Sequence, residues 1–125
     1  MKYNTFCHHS RISAPAEEVF AWHARPGAIR RLLPPWQSIE IFSQTGEIEN
    51  GARAEIRLRF GPFHKRWIAE HCGYQPPRQF QDVQIDGPFT HWQHTHSITP
   101  DGSHACQLED KIEYALPLGV VGRWL

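Results

Sequence analysis

The sequence predicts an α+β fold: one curved antiparallel sheet, with two short helices inserted after its first strand. Three observations predict it. Ala52, Ala54, Ile56, Leu58 and Phe60 alternate with Arg53, Glu55, Arg57 and Arg59, the mark of a strand with one dry and one charged face. Ser13-Ala14-Pro15-Ala16-Glu17-Glu18 reads as a helix start ahead of Val19, Phe20, Ala21 and Trp22. After Pro34-Pro35, turn signals recur at hairpin spacing: Gly46 to Gly51, Gly61-Pro62, Pro76-Pro77, Asp86-Gly87-Pro88 and Pro100-Asp101-Gly102.

Lys2 to Ser13 is rich in Tyr, Thr, Phe and Ile and reads as the first strand. Ser13 can cap the helix that follows, which should stop before Pro26-Gly27. A second helix, Ala28 to Leu33, is ended by Pro34, because the residue before a proline is pushed out of the α region. Strands then follow at Ser38 to Thr45, Ala52 to Phe60 and Phe63 to Tyr74, where Trp67 and Ala69 lie opposite Ile68, Glu70, Cys72 and Tyr74. In the next, Phe80, Asp82, Gln84 and Asp86 share a face. Trp92, His94, His96 and Ile98 face away from His91, Gln93, Thr95 and Ser97, and in the last strand Cys106, Leu108, Asp110, Ile112 and Tyr114 oppose Gln107, Glu109, Lys111, Glu113 and Ala115. Polar chemistry is expected where two histidines beside a tryptophan meet Asp82 and Asp110 on otherwise apolar faces.

The 125 residues suit one domain, 1–125, with a single core. Thirteen basic residues balance thirteen acidic ones, so no net field recruits nucleic acid or an anionic membrane. Three cysteines without C-x-x-C spacing, no apolar leader and no apolar run of spanning length lead us to expect a cytoplasmic protein without a membrane span.

His94-Thr95-His96 can turn both imidazoles to one metal, with Asp82 or Asp110 completing the shell, or the four can form an internal hydrogen-bonded network. No third ligand sits at a diagnostic spacing, so neither metal nor cofactor is expected. Trp22, Trp36, Trp67 and Trp92 either line a ligand cavity or fill the core. His23 and Arg25 either hold an anionic group at the sheet's mouth or are a surface pair capping helix carbonyls. Arg53, Arg57 and Arg59 read as a solvated face. His71 and Cys72 are strand neighbours pointing opposite ways, so they form no dyad.

Ala14-Pro15-Ala16-Glu17-Glu18-Val19-Phe20-Ala21-Trp22-His23-Ala24-Arg25-Pro26-Gly27-Ala28, Leu33-Pro34-Pro35-Trp36, Phe80-Gln81-Asp82, Gly87-Pro88-Phe89, Trp92-Gln93-His94-Thr95-His96 and Asp110 to Tyr114 with Pro117 resemble the SRPBCC superfamily. This is the group of START-like and pollen-allergen-like helix-grip proteins, and the nearest branch is the bacterial cyclase/dehydrase-like one, which also occurs fused to an epimerase-like domain. The resemblance spans nearly the whole chain. It implies a curved sheet gripping a long C-terminal helix over a ligand cavity. The sequence ends where that helix would begin, so the helix is expected to be largely absent, and a second copy or a linked domain is expected to cover the concave face.

Three functions stay open. One is binding of a small hydrophobic molecule or lipid without catalysis, through Trp22, Trp36, Trp67, Phe80, Asp82, Phe89, Trp92, His94, Asp110 and Tyr114. Another is a cyclase/dehydratase-type enzyme in which His94 or His96, tuned by Asp82 or Asp110, moves a proton on an enolisable aromatic or polyketide-like substrate. A third is an interaction module docking on an epimerase-like domain.

Overall fold

In a computed structural model, which describes residues 3–26 and 39–117 without the Phe60 side chain, the chain forms one seven-stranded antiparallel sheet with a helix on one face. The elements are β1 (Asn4–Ile12), α1 (Ala16–His23), β2 (Ile39–Thr45), β3 (Arg53–Phe60), β4 (Phe63–Gln75), β5 (Gln79–Asp86), β6 (His91–Pro100) and β7 (Cys106–Ala115). Their order across the sheet is β1-β7-β6-β5-β4-β3-β2. From β2 to β7 each strand pairs with its sequence neighbour, and β1 returns to pair with β7. The curved, strand-rich architecture expected from the alternation is present. The second helix, Trp36 and the chain after Pro117 lie outside the described residues.

Ser13 does not cap α1. Pro15 occupies the N-cap position with extended backbone, and its carbonyl accepts from the Glu18 and Val19 N–H groups at 3.1 Å. Proline can take this place because its missing donor would be unpaired there anyway, while Glu17 and Glu18 sit favourably at the positive helix end. Ala16, Val19, Phe20 and His23 fall at helical spacing and form the buried stripe. They pack with Ile48, Phe80, Ile98 and Cys106, so the core lies between α1 and one sheet face.

Two irregularities reverse faces that simple alternation assigns. Between the Gln84↔Ala69 and Asp86↔Ile68 pairs, β5 carries one extra residue, Ile85, which is exposed. Asp86 is thereby turned outward to Arg66, at 2.7 Å, instead of sharing a face with Phe80 and Asp82. At the other end of β4, two residues oppose one of β5 between the Cys72↔Gln81 and Gln75↔Gln79 pairs. Gly73 takes a positive φ of 57° there, which favours glycine, and Tyr74 swings onto the core side against Phe20. A Cβ on Gly73 would collide with the Gln81 side chain.

Candidate functional site

β5, β6 and β7 are in unbroken register over the site, so the polar residues fall in two rows across the helix-bearing, concave face. His71, Asp82 and His94 form one, on β4, β5 and β6. Phe80, His96 and Asp110 form the next, on β5, β6 and β7. The division expected for β6 holds: Gln93, Thr95 and Ser97 join Gln81, Glu109, Lys111 and Glu113 along a polar groove on the opposite face.

The two carboxylates enclose the two imidazoles. Asp110 Oδ1 lies 3.0 Å from His94 Nε2 and 3.1 Å from His96 Nδ1. Asp82 Oδ2 lies 3.4 Å from His96 Nε2 and 4.0 Å from His94 Nδ1, the last too long for a hydrogen bond. The imidazole rings stack at 3.8 Å, and Phe80 stacks on the other side of His96 at 4.2 Å. A carboxylate only accepts, so the placing of one carboxylate beside each nitrogen of His96 favours the doubly protonated, cationic ring.

Burial opposes that charge, but the hydrogen bonds to Asp110 and Asp82 outweigh it and raise the His96 pKa. Bonds from His94 and His96 hold the Asp110 carboxyl well below the usual carboxylate range. Burial pushes Asp82 upward, yet the His96 bond and the neighbouring imidazoles lower it on balance.

Two further histidines complete the centre. His23, which the sequence left as either an anion clamp or a surface group, is buried. Its Nδ1 donates to the Val19 carbonyl at 2.8 Å, and its ring lies 5.6 Å from Phe80 and 6.4 Å from His96. His71 has a buried Nδ1 with no hydrogen-bond partner. Burial lowers the pKa of both. Each left a signal in the sequence: His23 continues the Ala16, Val19, Phe20 stripe, and His71 continues the Trp67, Ala69 alternation. Burial raises the thiol pKa of Cys72 and Cys106, which leaves both poor nucleophiles.

The remaining site residues separate into a wall and a floor. Trp67, Phe89, Trp92 and Tyr114 are half-buried and form one aromatic cluster. Trp92 lies 5.0 Å edge-on to Trp67 and 4.8 Å from Phe89, which is 6.0 Å from Tyr114. Trp92 and His94 are two residues apart on one strand, so the cluster adjoins the histidines on the same face. Phe80, 1% exposed, lies beneath α1 as part of the floor. Trp22 is half-buried, with its ring 5.0 Å from His23. Among the described residues, no helix is long and apolar enough to cross a membrane.

The fold is shared with solved structures of low sequence identity. Norcoclaurine synthase from Thalictrum flavum, in complex with dopamine and hydroxybenzaldehyde, superposes with a TM-score of 0.72 at 18% identity, over 93% of this chain and 71% of the synthase. The ZhuI aromatase/cyclase from Streptomyces sp. R1128 gives 0.71 at 16% identity, over 94% and 70%. A START superfamily protein from Mycobacterium smegmatis gives 0.70 at 15%, over 96% and 82%. No protein of curated function matches the chain in sequence. The model of one family, described as "Polyketide cyclase / dehydrase and lipid transport", matches residues 12–125. That match runs from the last residue of β1 onward, and it makes this chain a member of the polyketide cyclase/dehydrase and lipid transport family.

Proposed function

We propose that residues 1–125 act as one ligand-binding domain that takes a small apolar or aromatic molecule onto the concave sheet face. The observation that supports it is the junction of two surfaces: the Trp67, Phe89, Trp92 and Tyr114 cluster beside the Asp82, His94, His96 and Asp110 cluster. The aromatic wall takes the ligand's body and the polar centre orients one oxygen of it, the usual division of labour in such pockets. Both activities in the family's description, polyketide cyclisation or dehydration and lipid transport, begin with this step.

Titration with fatty acids, flavonoids and polycyclic aromatics should quench the Trp67 and Trp92 fluorescence and raise the melting temperature, and Trp92→Ala should weaken the response. If the whole panel at high micromolar concentration moved neither signal, the reading would be abandoned.

A second reading is favoured by the greater exposure of His94, whose side chain is 21% exposed against 11% for His96. A ring held by Asp110 and reachable from the concave side can accept a proton from an enolisable ligand, the cyclase/dehydratase step. Solvent deuterium should then enter a bound β-polyketone faster than in buffer, and His94→Gln should abolish the excess. Equal exchange with and without the imidazole leaves only binding.

A further inference from the structure

The sequence offers no third metal ligand at a diagnostic spacing, but the register of β5 on β6 supplies one. Asp82, His94 and His96 present three ligand atoms that all lie within 4.8 Å of one another. An ion held at ~2.0–2.2 Å from nitrogen and oxygen donors keeps them roughly 3 Å apart, so small side-chain rotations close the set. We propose that Asp82, His94 and His96 form a binding site for a first-row divalent transition-metal ion such as Zn2+, with Asp110 as the shared carboxylate behind both histidines.

The division of ring nitrogens carries this. Asp110 Oδ1 takes His94 Nε2 and His96 Nδ1, the opposite nitrogens of the two rings. That leaves His94 Nδ1 and His96 Nε2, both turned towards Asp82 Oδ2. A carboxylate accepting from the far nitrogen of a ligating histidine fixes its tautomer and makes the near nitrogen a better donor. Here one carboxylate does so for two histidines, and the ion displaces the proton that His96 shares with Asp82. Two imidazoles and one carboxylate suit Zn2+, Co2+ or Fe2+ better than Mg2+ or Ca2+, which favour all-oxygen shells. Three protein ligands leave coordination open. A second observation points the same way: His71, paired with Asp82 in the register, has a buried Nδ1 without a hydrogen-bond partner, a polar atom beside the site that the fold itself does not use. The site needs no organic ligand, so it stands or falls separately from the binding reading above.

The test uses untagged protein, stripped with a chelator and titrated with Co2+. The expected result is one ion per chain, visible d–d absorption, displacement by Zn2+, and two exchangeable, paramagnetically shifted ring N–H resonances, one for each ligating imidazole. His94→Gln and Asp82→Asn should each weaken binding roughly tenfold or more, and Asp110→Asn should weaken it in the same range. His104→Gln, on an exposed loop, should change nothing. Absence of d–d bands at millimolar Co2+, or a spectrum that survives His94→Gln, would show that the four side chains are only an internal ion-pair network. Should His94→Gln fail to fold, the wild-type resonances decide: two support the site, and none or one overturns it.

Discussion

His71 carries a polar atom that the fold hides and does not satisfy. A buried group of this kind costs about 1–3 kcal/mol, so an apolar ring of similar shape is the better occupant unless something else uses the nitrogen. In urea denaturation of metal-free protein, His71→Phe is expected to match the wild type or exceed it by ~1 kcal/mol. A loss above ~2 kcal/mol would mean that the imidazole has a partner already. At this scale the sequence was legible wherever one period ran unbroken. Alternation alone groups Trp92, His94 and His96 on one face of β6 and Asp110 and Tyr114 on one face of β7, and the register joins the two. His23 is ambiguous in the sequence because its i, i+4 relation to Val19 points to the buried stripe while its neighbour Arg25 points to the surface.

α1 joins the core through one face of two turns, and Phe20 is its largest buried side chain, edge-on to Phe80 at 6.0 Å and 5.9 Å from Tyr74. Phe20→Ala is expected to cost ~3–5 kcal/mol, enough to leave most of a marginally stable domain unfolded, whereas Phe20→Leu should retain the cooperative transition. Near-UV circular dichroism through a thermal scan distinguishes them, and a cooperative Phe20→Ala variant would show that α1 is dispensable to the core. The strands themselves were legible from turn residues and alternation. The faces of Asp86 and Tyr74 were not, because one inserted residue inverts every later side chain and neither Ile85 nor Gly73-Tyr74 announces itself locally. Asp82 was placed correctly because it lies between the two irregularities.

For the whole molecule the histidines set the pH response. His23 and His71 have pKa values below the ordinary 6.5, so their contribution is complete above pH 6.5 and is lost as pH falls, when the unfolded chain takes up protons that the folded chain declines. His96 has the opposite sign: its contribution is complete below pH 6.5 and is lost as pH rises through its raised value. Asp82 and Asp110, both lowered from 3.8, add a second acid loss below that pH. Metal-free protein should therefore be most stable near pH 6.5, and His71→Phe should flatten only the acid side. A melting temperature that rises steadily from pH 5 to 8 would contradict this balance. The strand order has a consequence in time. β2 to β7 can zip together neighbour by neighbour as the ribosome releases them, but β1, made before the other described strands, has no partner until β7, the last of them, is complete. Its pairing closes the longest loop among the described strand pairs, and contacts so distant in sequence slow folding towards the millisecond-to-second range. Until then Phe6 and Cys7 lack the strand they pair with, so the first of the described strands is the one whose addition completes the sheet.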